Sequence, residues 1–568
     1  MVEIFLGHVL ARLAALAEKS VHCIVTSPPY WGLRAYAGVE PAVWLGAAGK
    51  ADCPHEWGEA LPKPGNEHRD GLGANSTFAG RGDKAEIRKE FAGKRAGEVN
   101  ASIERARERG YDVGGWGASE RAATAIDRMG SSGGQFCRLC GAWRGLLGQE
   151  PLHDCLAWAR GEAPCASCFV CHMRSVAAAC WRVLRDDGVM WLNMGDSYGG
   201  SWAMQDRRAD ALDRQGAYMR SERASCRAGT LKETELALVP QRLMIAFQAD
   251  GWYMRSDIQN DIAPVVVWKK RSAMPESTDK RPTRNHEYIL MLTKRPSSEH
   301  FFDAVAVREG AAIRPHENAD RKYHTGHGVE VDTRSSDEKG QSNVPHAGNG
   351  SRNIRTVWTL KPEPCNWAFC KGCDTCFIGS DRNRIRVEGE PPDQKRFCPV
   401  CGRHDAWVAH YAAYPSDLPR RCILAGTPEK GICAQCGTPW ERVVEREPDN
   451  AGYPHGPGGS KRYQNVLNGG EASSTLAKVA RYSVGTLGFR PGCSCAAGEP
   501  VPATILDPFC GSGTSLIVAA QLGRNAIGID ASPDYVKVAR ERVRIEGSRV
   551  AKPIPASDAP LFASVPSV

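Results

Sequence analysis

The stretch TILDPFCGSGT, residues 504–514, decides the fold. Its apolar start has the length and composition of a buried β-strand, and the glycines allow a tight turn into a helix from about Ser515 to Leu522. A second apolar run, Asn525 to Ile529, ends on Asp530. A glycine turn between strand and helix lets a ligand approach the backbone, and an acid at the next strand's tip can bind two ribose hydroxyls. The pattern predicts a nucleotide-type site on a doubly wound α/β sheet. Because the turn has no lysine for phosphates, an adenosyl ligand without a phosphate chain fits better than ATP.

A second short stretch, Thr26-Ser27-Pro28-Pro29-Tyr30-Trp31, lies near the other end of the chain. It follows the apolar run 23–25, which suits a buried strand and is too short for a helix. Two consecutive prolines stop strand pairing and stiffen the backbone. The resulting tip could accept hydrogen bonds from an amino group while an aromatic ring stacks on a flat ligand. The alternative is a proline turn with both rings in the core.

The segment before this tip has the pattern of a β-α-β unit. A short strand and turn at 4–8 precede a helix from Val9 to Ala17 and a strand from His22 to Ser27. Such a unit delivers the tip to the carboxyl end of a strand, the edge at which open α/β sheets bind ligands. Further along, the pattern predicts a helix over 176–184, a turn at 186–188 and strands at 189–194, 264–268 and 288–293.

Composition sets broad limits on the protein class. The 568 residues are 42% hydrophobic and 24% charged, which suits a globular chain of several domains. No apolar run approaches the ~20 residues that span a bilayer, and no signal pattern opens the chain, so we expect a cytoplasmic protein without a membrane partner. The formal net charge of +8 permits a polyanionic partner without requiring one.

The two stretches together resemble the cofactor and catalytic motifs of the amino-directed DNA methyltransferases. Their order, with the catalytic tip first and the cofactor loop last, is similar to that of the permuted beta group of this family. Segments 182–196 and 410–415 resemble two further motifs of the family. The resemblance implies a Rossmann-like methyltransferase sheet that is circularly permuted, with S-adenosylmethionine as cofactor and double-stranded DNA as partner. A partner restriction endonuclease is a further expectation.

The resemblance also implies residue roles. The catalytic tip is Ser27, Pro28, Pro29 and Tyr30. In it, the Ser27 hydroxyl and the Pro28 carbonyl would accept the hydrogens of the target amino group, and Tyr30 would stack on the base. The base must leave the duplex, at a cost of a few kcal/mol. The residues implied to line the cofactor are Asp507, Phe509, Gly511, Gly513, Thr514, Asp530, His410 and Pro415. His410 on its own also fits a structural role.

The target base depends on Ser27. In the family, serine at this position is typical of cytosine-N4 enzymes, whereas aspartate or asparagine is typical of adenine-N6 enzymes. We therefore predict cytosine N4 and keep adenine N6 as the alternative, because base flipping can serve either base. His8 stands where the family usually has an acid, which puts a cofactor role for that position in doubt.

Many of the 22 cysteines fall in pairs spaced C-x-x-C, which favours thiolate metal ligands over disulfides. The first predicted structural zinc set is Cys433, Cys436, Cys493 and Cys495. The second is Cys370, Cys373, Cys398 and Cys401, with Cys365 and Cys376 spare, and the third is Cys53, His55, Cys137 and Cys140. Cys165, Cys168 and Cys171, with Cys155, His153 or His172, could bind another zinc or an iron–sulfur cluster. The alternative for every set is reduced, unligated thiols.

The predicted organisation is a catalytic domain interrupted by zinc-binding insertions. Its parts are 1–50 with the catalytic motif, 51–172 as a charged insertion with Cys/His clusters, 173–296 as the central catalytic part, 297–360 as a variable segment and candidate for target recognition, 361–404 as a cysteine-rich insertion, 405–430 as the motif before the cofactor site, 431–500 as a zinc-ribbon-like insertion, 501–548 as the cofactor-binding part and 549–568 as a flexible tail. A rival from another class is a zinc-rich nucleic-acid-binding protein with a vestigial transferase domain. Methylation of RNA or of a protein glutamine amide is a further alternative.

Overall fold

The computed structural model describes residues 1–31, 39–45, 52–58, 134–150, 155–198, 235–255, 265–271, 281–296, 299–310, 351–363, 367–388, 395–408, 414–448, 482–496 and 498–548. The chain divides into two compact units. The first comprises Met1–Phe301, Thr356–Gly426 and Pro502–Ala551. The second comprises Phe302–Arg355, Thr427–Val501 and Lys552–Val568.

The described residues form six α-helices and twenty strands. The helices are α1 Val9–Ala15, α2 Phe169–Val183, α3 Val239–Ala249, α4 Asp417–Gly426, α5 Thr514–Gln521 and α6 Pro533–Glu546. The strands are β1 Val2–Leu6, β2 Val21–Thr26, β3 Ala42–Trp44, β4 Gln135–Phe136, β5 Trp143–Gly145, β6 Leu184–Met194, β7 Tyr253–Met254, β8 Val266–Lys270, β9 His286–Thr293, β10 Glu309–Gly310, β11 Ser351–Arg352, β12 Val357–Leu360, β13 Trp367–Cys370, β14 Thr375–Ile378, β15 Arg386–Glu388, β16 Lys395–Phe397, β17 Trp440–Pro448, β18 Tyr482–Pro491, β19 Thr504–Asp507 and β20 Asn525–Asp530. Two 3₁₀ turns cover Trp158–Arg160 and Gly379–Arg384.

The first unit is built on a nine-stranded sheet. Its order is β1-β20-β19-β2-β6-β9-β8-β12, and β7 pairs with β9. The neighbouring strands β1, β20, β19, β2 and β6 are parallel. Strand β9 runs antiparallel to β6, β8 and β7. The sheet is therefore mixed. Strand β19, from the last part of the chain, pairs in parallel with β2, from the first part. The carboxyl ends of these two strands therefore lie at the same edge of the sheet.

Helices cover both faces of this sheet, as a doubly wound fold requires. Successive strand residues point to opposite faces. On one face, Ile24 and Met190 share a buried core with Leu13 of α1 and with residues of α2 and α3. On the other, Gly426 of α4 lies so close to Cys23 and Val189 that a Cβ there would be 2.7 Å and 2.6 Å from their side chains. Helix α5 packs against α4 and against α6. The central strands are apolar along their length because both sides are buried.

The chain departs from sequence expectation around the second helix. Helix α2 begins at Phe169, seven residues before the predicted start, with the Cys168 thiol accepting a hydrogen bond from the Cys171 amide at the N-terminus. The predicted turn at 186–188 is wrong, because β6 continues through it from Leu184. Helices α3 and α4 lie outside the predicted elements; each has a proline in its first turn, which a helix tolerates.

The second unit centres on the long hairpin of β17 and β18, which is bulged between Val443 and Val444. Arg442 on this hairpin is paired with Asp303 and Glu429, at 2.9 and 2.5 Å. A short β10–β11 pair belongs to the same unit. Within the described ranges of the whole chain, no helix combines the length and apolar character needed to cross a membrane.

Candidate active site

The catalytic tip and the cofactor loop meet at the carboxyl ends of β2 and β19. Ile505 and Leu506 pair in register with Cys23 and Ile24. Beyond this pairing, the Thr26 hydroxyl donates a hydrogen bond of 2.7 Å to Asp507 Oδ1, across 481 positions of sequence. The two stretches that the sequence places at opposite ends of the chain are thus joined at one point.

Asp507 is the buried hub of this junction. Besides Thr26, its carboxylate accepts hydrogen bonds from the Ser515 hydroxyl, the Phe509 amide at 3.1 Å and the Tyr414 hydroxyl at 3.3 Å. Burial raises the pKa of Asp507, and these donors act in the opposite direction. The carboxylate therefore fixes the loop, α5 and the 414–415 segment to one another. Pro415 is buried beside Tyr414, whereas His410 lies outside the described residues.

Glycine is required at two positions of the cofactor loop, for a different physical reason at each. Gly511 and Gly513 have φ of +50° and +81°, in the left-handed region that favours glycine. A Cβ on Gly513 would lie 3.0 Å from Ala539 Cβ, so this glycine lets α6 pack closely. A Cβ on Gly511 would meet no atom within 4 Å, so the loop is open above it. Thr514 begins α5, and Phe509 is partly exposed.

Asp530 ends β20 beside this open loop. Its carboxylate accepts hydrogen bonds from the Gly511 amide at 2.9 Å and from the Ser532 amide at 2.8 Å. Burial raises its pKa to about 6, with these amides opposing the shift. An acceptor carboxylate next to an open glycine loop, without a basic residue in 507–514, fits an adenosyl ribose rather than a phosphate chain.

The aromatic ring of the catalytic tip, Tyr30, is half-buried, and the ring of Trp31, which follows the tip, is buried. Ser27, Pro29 and Tyr30 are partly exposed, and Pro28 is buried. Trp31 is buried in the core, and its Nε1 donates to the Glu150 carbonyl at 2.9 Å. The core interpretation of the proline turn thus holds for Trp31. The Tyr30 ring lies against Gly195, where a Cβ would be 2.7 Å from Tyr30 Cε2.

Three polar residues missed by sequence reasoning hold Tyr30 in place. The Tyr30 hydroxyl donates to Glu287 Oε2 at 2.7 Å and accepts from Asn193 Nδ2 at 2.8 Å. Lys270 Nζ pairs with Glu287 at 2.5 Å. Ser27 Oγ donates to the same tyrosine oxygen at 3.3 Å. Asn193 offered a signal, since it is a polar residue near the end of an apolar strand; Glu287 and Lys270 did not.

Unpaired acceptors line the end of β6 next to this tyrosine. Asn193 Oδ1, Asp196 Oδ2 and Ser197 Oγ are buried and make no hydrogen bond within the described part of the chain. Burial raises the pKa of Asp196. Buried polar atoms without partners are uncommon in folded proteins, so they indicate a place where a polar ligand completes the site. The site thus combines an open adenosyl-type loop, a stiff tip and unfilled polar groups.

Four groups of thiol and imidazole ligands lie outside this junction, and in each the ligand atoms are within 4.8 Å of one another. Three are the predicted sets, namely Cys53, His55, Cys137 and Cys140; Cys370, Cys373, Cys398 and Cys401; and Cys433, Cys436, Cys493 and Cys495. The fourth is Cys155, Cys165, Cys168 and Cys171. A tetrahedral zinc with ~2.3 Å bonds to sulfur places its thiolates about 3.8 Å apart, which these groups suit. All these cysteines are free of disulfides. Cys376 stays outside the groups, and Cys365 and His153 lie outside the described residues.

Comparison with known proteins finds a family whose model matches this chain. Residues 166–434 and 499–541, more than half of the chain, match the family described as DNA methylase. The catalytic tip lies outside the matched residues, and the cofactor loop lies inside them. The chain is similar to the Type II methyltransferase M.Cfr9I of Citrobacter freundii, with 27% identity over 67% of this chain and 73% of that protein.

The Type II methyltransferase M.SmaI of Serratia marcescens is 26% identical over 64% of this chain and 69% of its own length. Among solved structures, the PvuII DNA methyltransferase, described as cytosine-N4-specific, aligns over 95% of this chain and 86% of its own. That alignment has 10% identity and a TM-score of 0.35.

Proposed function

The chain belongs to the DNA methylase family, and we propose that within this family it transfers a methyl group to N4 of a flipped cytosine. Membership makes the protein an S-adenosylmethionine-dependent DNA amino-methyltransferase. The observation that carries the proposed site is the hydrogen bond between Thr26 and Asp507, because it joins the residue before the proposed catalytic tip to the first residue of the adenosyl-type loop. Adenine N6 is the alternative target.

The proposed roles follow from the contacts of the tip. An exocyclic amino group is a poor nucleophile because its lone pair is delocalised into the ring, so acceptors for its hydrogens and correct positioning favour attack. Ser27 Oγ, which donates to Tyr30, keeps lone pairs for one hydrogen, and the Pro28 carbonyl takes the other. Pro29 stiffens this geometry. The Tyr30 ring, anchored by its hydroxyl, stacks on the base.

We propose that the open loop holds S-adenosylmethionine, which supplies a methyl group activated by its sulfonium. Asp530 accepts the ribose hydroxyls, and the backbone at Gly511 lies against the ligand. Phe509, Gly513 and Thr514 complete the loop around it, and Asp507 orients the loop from beneath through its four donors. Pro415 follows Tyr414, whose hydroxyl donates to Asp507 of the same loop, and His410, outside the described residues, stays a proposed cofactor residue.

We propose that the chain order is a circular permutation of the methyltransferase sheet. The central strands β19 and β20 come last in sequence yet lie between β1 and β2, which supports this interpretation. The chain would act on double-stranded DNA beside a restriction endonuclease, as its similarity to Type II methyltransferases suggests. Segment 297–360 stays a candidate for target recognition; its residues 297–298 and 311–350 lie outside the described residues.

Zinc at the three predicted sets is part of the proposal. The support is that each set brings four ligand atoms within 4.8 Å of one another without a disulfide. Two of these sets lie in the first unit and the third in the second. Their role is structural, since each has four protein ligands and thus no open position for a substrate.

The proposal is tested with purified protein, S-adenosylmethionine labelled in its methyl group and unmethylated double-stranded DNA. After digestion to nucleosides, mass spectrometry is expected to find the label in N4-methylcytosine. Label in N6-methyladenine would replace the proposed base by its alternative. Label in RNA or protein but not in DNA, or no transfer at all despite metal-loaded folded protein, would contradict the proposal; the last result would favour a vestigial transferase domain.

A further inference from the structure

Cys155, Cys165, Cys168 and Cys171, here the α2 cluster, surround the start of helix α2. Cys168 caps the helix, and its thiol accepts a hydrogen bond from the Cys171 amide at 3.4 Å. The Cys155 and Cys171 sulfurs are 3.5 Å apart, and all four sulfurs lie within 4.8 Å of one another. The neighbouring imidazole is not part of the cluster, because both ring nitrogens of His172 have other partners.

The geometry of the α2 cluster suits one ion. Two thiolates on the same zinc are at most about 4.6 Å apart, twice the zinc–sulfur bond, and about 3.8 Å apart in a tetrahedron. An iron–sulfur cluster spreads its cysteines over several iron atoms, so its ligands need more space than these sulfurs leave.

A short chain of contacts connects this cluster to the catalytic tip. His172, next to Cys171, is buried, and its Nδ1 is 2.6 Å from Glu150 Oε1. Its Nε2 is 2.8 Å from the Ala166 carbonyl, between two cysteines of the cluster. The imidazole is therefore fixed by the same loop that carries Cys165 and Cys168.

Glu150 connects His172 to the catalytic tip. Its side chain is fully buried and accepts from the Gly148 amide at 2.7 Å, while its carbonyl accepts from Trp31 Nε1 at 2.9 Å. Gly148 is in direct contact with the tip backbone, since a Cβ there would lie 3.0 Å from the Tyr30 carbonyl oxygen. Glu150 thus fixes the tip on two sides, at Trp31 and through Gly148.

We propose that the α2 cluster binds one structural zinc ion, and that this ion positions the catalytic tip through His172 and Glu150. The four cysteines are metal ligands, and His172 and Glu150 are positioning residues that touch neither base nor cofactor. The positioning part rests on the proposed function of the tip, whereas the metal site does not.

The metal site is tested on the unaltered full chain. Cys155 and Cys165 are partly exposed, so free thiols at these positions would react with an alkylating reagent. With zinc bound, peptide mass spectrometry is expected to find both protected, and alkylated once a chelator has removed the metal. Alkylation of both before chelation would overturn the site, whether or not the protein transfers methyl groups.

Variants test the link to the tip. Cys165→Ser is expected to contain one zinc fewer than the unaltered chain and to lower kcat by roughly 10²-fold, because small misplacement of reacting groups is costly. Its affinity for S-adenosylmethionine should stay unchanged. Cys180→Ser, a buried cysteine on the same helix outside the cluster, is the control and should keep the full zinc content. Loss of the zinc with unchanged kcat would overturn the positioning role.

Glu150→Gln keeps the link testable if Cys165→Ser does not fold. This variant retains all four cysteines and is expected to keep its zinc, but the hydrogen bonds of residue 150 with His172 and with the Gly148 amide are altered. We expect a lower kcat with unchanged cofactor affinity. Full kcat in Glu150→Gln would contradict the proposed route. If the unaltered chain itself transfers no methyl group to DNA, the proposed function fails, and zinc content and alkylation still decide the metal site.

Discussion

Tyr30 is held by its hydroxyl as well as by the packing of its ring. Glu287, Asn193 and Ser27 all hydrogen-bond to this one oxygen, and Lys270 balances the charge of Glu287. A hydroxyl with partners on several sides keeps the ring in one orientation, which lowers the entropy cost of stacking a base on it. The position of the ring is thus set by residues of β6, β8 and β9 rather than by the prolines alone.

Gly195→Ala tests the seat of this ring. The added methyl group would lie 2.7 Å from Tyr30 Cε2, so the ring must shift. We expect kcat to fall by roughly 10²-fold, because misplacement of about 1 Å in a catalytic group has an effect of that size. Affinity for S-adenosylmethionine should be unchanged.

The matched control is Gly485→Ala in β18, where the added methyl group meets nothing within 4 Å. Kinetics at saturating DNA, with thermal melting of both variants, separate misplacement from unfolding. An unchanged kcat for folded Gly195→Ala would show that the ring position does not matter for transfer.

Asp530, the proposed ribose-binding acid, gives a pH prediction. Burial raises the pKa of Asp530 to about 6, so its carboxylate is ionised above that pH and takes up a proton below it. Ribose hydroxyls donate best to the ionised form, so affinity for S-adenosylmethionine should weaken by roughly fourfold from about pH 7.5 to about pH 5.5. Titration calorimetry measures this change.

Asp530→Asn supplies the control for this titration. An amide cannot ionise in this range, so the variant should bind more weakly at neutral pH and should lack the pH dependence. An Asp530→Asn variant that keeps the same pH dependence would assign it to another group.

At the scale of elements, we expect the stability of the β17–β18 hairpin to depend on its four-cysteine set. Cys433 and Cys436 precede β17, and Cys493 and Cys495 follow β18. The hairpin strands are bonded to each other, so a metal at their open end closes a long loop, which stabilises the fold mainly by restricting the unfolded chain.

Cys436→Ser should release one zinc and make the hairpin sensitive to proteolysis, whereas Cys422→Ser, outside all four groups, should not. Limited proteolysis with metal analysis measures both effects. Retention of the zinc in Cys436→Ser would remove this residue from the ligands.

The sequence predicts the elements that carry motifs better than those that support them. The glycine turn, the acid at the end of β20 and the proline tip have local signals, and each lies where its pattern indicates. Cys155 could not be chosen from sequence as the fourth candidate ligand, because two histidines have similar spacing and only tertiary contacts show that both ring nitrogens of His172 have other partners. Glu287 and Lys270 carry no local signal either, since a charged residue on a strand usually faces solvent.

At the scale of the whole molecule, the sheet brings together what the chain separates. The first and last parts of the sequence supply adjacent central strands, β2 and β19. This pairing has a large separation in sequence, so its loop-closure entropy must be offset by the buried core on both faces of the sheet. The long segments of chain between β2 and β19 can then carry the four cysteine-containing groups without altering the junction of Thr26 and Asp507.

The central claim is that the catalytic tip methylates cytosine N4, and genomic DNA tests it most directly. DNA from cells expressing the unaltered chain, the Ser27→Ala variant and an empty vector is digested to nucleosides and measured by mass spectrometry. The account predicts N4-methylcytosine with the unaltered chain and a loss of roughly 10²-fold or more with Ser27→Ala, because a catalytic hydrogen-bonding group contributes about that much. Ser20→Ala, a serine remote from the tip, should retain full methylation. Equal N4-methylcytosine in all samples, or full methylation by Ser27→Ala, would contradict the account.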